Sequence, residues 1–161
     1  MCCHFALQKG FSMLEVLITL VIIAVALLGT AGLQIIAIRM GQSGQFRTQA
    51  VFLASDMAER IESNKASAVN YVLASTNVQS VAATDCSANS CDNATMANWD
   101  LSQWGSAIIA SGLPQASWQI SQTVAGNPST YSIVIRWTDR SSVKTTHGEL
   151  FSYTATRSIS N

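Results

Sequence analysis

The stretch VLITLVIIAVALLGTAGLQIIAI, Val16 to Ile38, decides how the rest of the chain is read: its 23 positions contain no Asp, Glu, Lys, Arg or His. At about 1.5 Å per residue such a run makes a helix of roughly 35 Å, enough to cross a hydrocarbon layer of about 30 Å with some tilt. Thr19, Thr30 and Gln34 are its polar members. The two threonine hydroxyls can bond back to a carbonyl of the preceding turn. No proline from Phe11 to Lys65 removes a backbone donor, so a long uninterrupted helix is allowed.

Immediately before the run stands Gly10-Phe11-Ser12-Met13-Leu14-Glu15, preceded by a short segment with Cys2, Cys3, His4 and, as its one Lys or Arg, Lys9. Glu15 needs a reason to be where it is, because an ionised acid at the centre of a membrane helix costs about 2.5–3.5 kcal/mol on insertion scales, less near an interface. Taken alone, it snorkels to the headgroups and complements the positive end of the helix macrodipole. A secretory signal peptide is the rival reading of the whole region, with Lys9 as its charged part and a cut at Gly29-Thr30-Ala31. Against it, Glu15 would open the apolar region, and Leu33, Ile35, Ile36 and Ile38 continue beyond the supposed cut. The positive-inside rule does not decide orientation, since Lys9 precedes the helix while Arg39 and Arg47 follow it.

Gly10 through Glu15 followed by an apolar helix resembles the processing site of type IV prepilins. The resemblance implies that a prepilin peptidase cuts between Gly10 and Phe11 and that Phe11, the new N-terminal residue, is N-methylated while the helix stays attached. A glycine at the cut lets a protease approach the backbone closely, and the cut creates a cationic amine at Phe11. Glu15 is the natural partner for such a cation. The family pairs it with the N-terminus of a neighbouring subunit, a contact that in a dry bundle sets register more than it adds stability.

Beyond the apolar run, Phe46, Ala50, Leu53, Met57 and Ile61 recur at helical spacing and predict an amphipathic continuation to about Lys65. Phe11 to Lys65 as one helix would extend roughly 80 Å, so only its distal half can serve as the core of a small domain. Asp56 and Arg60 stand four apart with the acid first and read as a pair on a solvated face. Gly29 and Gly32 invite close helix contact, and Gly41 and Gly44 mark a place for a bend or local melting. Residues 66–98 are rich in Ala, Ser, Asn and Thr without sustained period and read as irregular. Cys86 and Cys91 are the economical pair for a local disulfide in an oxidising compartment, with zinc the weaker alternative because two thiolates and one distant imidazole make three ligands.

Trp99 to Leu113-Pro114 predicts a short helix ended before proline. Three strands are then expected: Ser117–Val124 with Trp118, Ile120 and Val124 on one side, Tyr131–Thr138 with Tyr131, Ile133, Ile135 and Trp137, and Gly148–Arg157 with Phe151, Tyr153 and Ala155. The expectation is an α+β chain, a long N-terminal helix packed on a small antiparallel sheet, which is also the type IV pilin fold. The divisions follow: 1–10 leader, 11–39 transmembrane or filament-core helix, 40–161 periplasmic head, the last comprising helix 40–65, an irregular region 66–116 and a sheet 117–157.

Leu53 to Ile61, Cys91-Asp92 through Ala97, Asp100 and Trp104, Leu113-Pro114, and Ile133 to Asp139 look like the PilV family of minor pilins. That resemblance implies a non-catalytic subunit that primes or modifies pilus assembly. It would lie in the bacterial inner membrane with a periplasmic C-terminal domain, and in the pilus after assembly. Its implied partners are prepilin peptidase, other minor pilins and the major pilin, the inner-membrane assembly platform and membrane lipid. The related alternative is a minor pseudopilin of a type II secretion system.

Composition limits other classes. Nine Lys+Arg balance nine Asp+Glu, so general nucleic-acid binding lacks its electrostatic footprint. Arg136, Arg140, Lys144 and Arg157 give the C-terminal part a modest basic bias, the basis for a tip-located adhesin or DNA-binding module as an alternative of another class. Loss of the leader would leave His147 as the one imidazole, and no phosphate loop or nucleophile-elbow motif is present, so no catalytic residue, metal or cofactor is expected. Asp92 and Asp100 belong to no recognisable motif, and Trp99, Trp104, Trp118 and Trp137 read as core or subunit-contact residues.

Overall fold

The computed structural model describes residues 10–78, 84–139 and 148–160. The chain divides into two units, Met1–Gln42 and Ser43–Asn161. Helix α1 (Met13–Ser63) supplies the whole described structure of the first apart from its opening residues, and the boundary falls between Gly41 and Gly44. Every described residue from Gly10 to Gln42 is exposed. The hydroxyls of Thr19 and Thr30 donate to the carbonyls of Val16 (2.8 Å) and Leu27 (2.9 Å), so the two threonines of the apolar run are satisfied inside the helix.

The second unit holds the core. The α1 stripe anticipated from spacing is the one that packs: Ala50, Ala54, Met57 and Ile61 are buried, and Phe46 and Leu53 lie against them. After Ser63 the chain tightens into a 3₁₀ segment, Lys65–Tyr71, and then forms β1 (Leu73–Thr76), α2 (Asn93–Ala110), β2 (Ser117–Val124), β3 (Ser129–Asp139) and β4 (Glu149–Ile159). The region expected to be irregular therefore carries a 3₁₀ turn, a fourth strand and the start of a helix. β1 has four residues, too few to display a period of two, which is why composition alone read it as a connector. Helix α2 begins six positions before Trp99, at Asn93, because Asp92 caps it by accepting from the backbone N–H of Thr95 at 2.7 Å. It stops at Ser111, where Gly112 takes φ +74°, a conformation that ends helices and favours glycine.

The sheet is antiparallel throughout, in the order β1-β2-β3-β4. Register places Trp118, Ile135 and Tyr153 in one row, Ile120, Ile133 and Ala155 in the next, and Trp137 opposite Phe151. This face contributes Trp118, Ile120, Tyr131, Ile133, Ile135 and Trp137 to the core. Val124 departs from its expected side and is exposed, because the pairing slips between Gln122 and Val124 and a slip of one residue exchanges the two faces. The Asn127–Pro128 peptide of the β2–β3 connector is cis.

Candidate functional site

Two places in the chain carry the residues singled out by sequence. The first is the start of α1. Ser12 ends the non-helical segment: its carbonyl accepts from the N–H groups of Glu15 (3.0 Å) and Val16 (3.3 Å), and its hydroxyl accepts from Leu14 N–H (3.3 Å). Ser12 is thus the N-cap, and Ser12-Met-Leu-Glu15 has the spacing of a capping box, a reading the sequence permits but its apolar context conceals. Gly10 and Phe11 lie before the helix and are exposed. The bond between them is outside helical geometry, the condition a protease needs to bind an extended backbone. Glu15 sits in the first turn, exposed, where an acid complements the helix dipole. Cys2, Cys3, His4 and Lys9 lie outside the described residues.

The second place is a polar knot inside the head. The Asp100 carboxylate, 8% exposed, accepts from Arg60 Nη1 at 2.8 Å on one oxygen and from the Tyr71 hydroxyl at 2.5 Å on the other. Asn64 Nδ2 lies 3.1 Å from the Tyr71 oxygen and 2.7 Å from the Asn93 carbonyl, donating toward both. Arg60 also holds Asp56, Nε to Oδ2, at 3.0 Å. The pair expected on a solvated face is therefore half of a bridge whose other end is buried, and Asp100, which matched no motif, is its centre. Burial, then the bond to Asp100, raises the Tyr71 hydroxyl far above the ordinary tyrosine range. For Arg60, desolvation alone would lower the pKa, but the bonds to Asp100 and Asp56 outweigh it and raise the guanidinium further. No group here is set up as a nucleophile or base. The knot fastens the end of α1, the 3₁₀ segment and α2 to one another.

Cys86 and Cys91 are joined by a disulfide with Cα atoms 5.6 Å apart. Around it, hydrogen bonds from the Ser87 hydroxyl and N–H keep Asp85 below the usual carboxylate range, and those from Thr95 do the same for Asp92. Among the described residues no three of His, Cys, Asp and Glu gather as a metal site.

The remaining candidates disperse. Trp104 and Trp118 are core, Trp137 stacks on Phe151 at 6.1 Å, and Trp99 is half-buried. Trp104 also donates its indole N–H to the Leu53 carbonyl at 2.7 Å. Arg136 faces away from the helix side of the sheet and donates to Gln119, whereas Arg157 is on the other side and bridges Glu62 at 3.2 Å. These two do not form one basic patch. Arg140, Lys144 and His147 lie outside the described residues.

Residues 6–31 match the prokaryotic N-terminal methylation motif, which contains Gly10, Phe11 and Glu15. Residues 32–102 match the family described as Tt1218-like, type IV pilin Tt1218. The chain carries a type IV pilin signature. Its two parts adjoin, and they leave β2, β3 and β4 outside. No curated protein and no solved structure matches the chain. The type IV pilin family is structural and non-enzymatic, and the long apolar helix with a small antiparallel four-stranded sheet is consistent with the pilin fold. The Tt1218-like match takes in Arg60, Asn64, Tyr71 and Asp100, so the polar knot lies within the matched stretch. The methylation motif implies processing by prepilin peptidase and assembly with other pilins.

Proposed function

We propose that this chain is a minor type IV pilin of the PilV kind, cut by prepilin peptidase between Gly10 and Phe11, N-methylated at Phe11, and used to prime or modify pilus assembly. The observation that carries the reading is the joint at Ser12: an exposed, non-helical Gly10–Phe11 bond abuts a helix whose apolar stretch is 0% buried by its own chain. An apolar helix with no protein cover must lie in a bilayer or among like helices. Cleavage leaves it in place, so one segment serves as membrane anchor first and filament core afterwards. The Glu15 carboxylate then pairs with the Phe11 amine of an adjoining subunit and sets the axial step between them.

Mass spectrometry of the protein purified from its own cells tests the cut: an N-methylated Phe11 terminus supports the reading, and a terminus at Gly32 establishes signal-peptide removal instead. Deleting the gene and scoring surface pili and enzyme export in one strain separates the two assemblies. Loss of pili with normal export supports the minor pilin; the reverse outcome assigns a pseudopilin of a type II secretion system.

A further inference from the structure

The free side of β4 is unlike the other edge of the sheet. β1, at one end, is four residues long and limits its own pairing. β4, at the other, runs eleven residues, is paired to β3 along one side, and among the described residues makes no backbone ladder on its second side. Between Glu149 and Arg157 it reads Leu150-Phe-Ser-Tyr-Thr-Ala-Thr156, without a charge or a proline. Exposed edges are ordinarily blunted by such residues, since every second N–H and C=O along them points outward unpaired.

A groove of about 340 Å³ lies alongside, lined by Arg47, Val51, Trp137, Phe151, Ser152 and Tyr153. Consecutive residues of a strand face opposite sides of a sheet. Phe151 and Tyr153 therefore share the helix-facing side with Trp137, the groove lies between that side and Arg47 and Val51 of α1, and its contact with Ser152 carries it to β4. Arg47 is exposed, its guanidinium carbon stands 5.4 Å from the centroid of the Phe151 ring, and among the described residues it has no salt bridge.

We infer that β4 takes an extended polypeptide segment of a partner protein as a fifth strand, with a carboxylate of that segment on the helix-facing side held by Arg47 at the groove. Backbone pairing to β4 supplies affinity without sequence preference, and the lone cation selects for an acid placed beside Phe151. The inference stands on the head alone and survives or fails independently of the processing site.

The test uses the full chain in detergent and a fluorescein-labelled octapeptide of alternating valine and threonine with one central glutamate. Saturable anisotropy is expected, with the glutamine version of the peptide binding about fivefold more weakly, the upper worth of a solvent-accessible ion pair. Arg47→Glu should reverse that preference in favour of a lysine version. Arg47→Gln, which keeps the aliphatic stem over Phe151, should abolish the preference without disturbing the fold. Hydrogen exchange should slow in 149–155 on peptide addition. Absence of binding, an unchanged preference in both Arg47 variants, or protection outside β4 would overturn the proposal. So would protection of β4 that rises with protein concentration alone, which would assign the edge to a second copy of this chain.

Discussion

Asp100 is the residue on which the head's polar interior turns. Both of its oxygens are taken, one by a guanidinium that is itself one-third exposed and one by a buried phenol. Asp100→Ala removes the acceptor from both, and the expected loss is about 2–3 kcal/mol in chemical denaturation. That is less than for a fully buried pair, because Arg60 keeps Asp56 and partial contact with water. Tyr71→Phe should cost less, on the order of 1–2 kcal/mol, since it deletes the bond to Asp100 and the weaker one accepted from Asn64, which keeps the Asn93 carbonyl, and leaves the ion pair standing. The tyrosine also predicts a pH dependence. Its folded pKa is raised, so the unfolded chain gives up the proton first, near pH 10, while the folded chain keeps it. Stability should be fully present below about pH 10 and fall as pH rises beyond it, and alkaline unfolding followed by near-ultraviolet circular dichroism should show this slope flattened in Tyr71→Phe. None of this was legible in sequence. Asp100 is 29 positions from Tyr71 and 40 from Arg60, and no local pattern records a contact across such separations.

At the scale of elements, the long helix was readable from end to end because its signals are local: an apolar run, then a stripe of Phe46, Ala50, Leu53, Met57 and Ile61, without a proline. The glycines are its weak points. None of Gly29, Gly32, Gly41 or Gly44 has an atom within 4 Å of an added Cβ, so alanine fits at each. Gly41→Ala with Gly44→Ala should strengthen that turn of α1 by about 1 kcal/mol per site, and amide exchange across residues 38–48 should slow accordingly. Reduced recovery of the protein in sheared filaments by the same variant would show that assembly uses a yielding turn there. The disulfide acts on a shorter range. Closing so small a loop constrains the unfolded chain by about 2 kcal/mol on the chain-entropy account, so Cys86→Ser with Cys91→Ser should lower the unfolding midpoint without changing the far-ultraviolet spectrum. The strands β2, β3 and β4 followed from alternation. β1 and the first turns of α2 did not, because four residues show no period and the capping role of Asp92 becomes visible once Thr95 is seen to donate to it.

For the whole molecule, the two units differ in what they bury. Among the described residues the eighteen of the core, from Ala50 to Ile159, fall within Ser43–Asn161, and the described part of the first unit buries nothing. A truncated chain beginning at Ser43 should remain soluble without detergent and unfold at the same denaturant midpoint as the head of the full chain. Aggregation of that fragment would show that the first unit contributes to the folding of the head. Glu15→Ala should leave membrane insertion intact and lower recovery in filaments by about tenfold or more, read by immunoblot of sheared material against the membrane fraction.

What the amino-acid order determined by itself is whatever depends on neighbours a few residues apart: the membrane-length helix, the stripe that packs, the alternation of three strands, the methylation motif within residues 6–31. Hydrophobic periodicity and turn-scale hydrogen bonds are short-range, so they are written where they act. The tertiary structure alone decided which charges are buried, which face Val124 takes, which side of the sheet Arg136 and Arg157 occupy, and that among the described residues nothing pairs with the outer side of β4 beside Arg47. Those outcomes depend on strand register and on segments tens of residues apart meeting, and the free energy that selects them comes from packing the assembled whole.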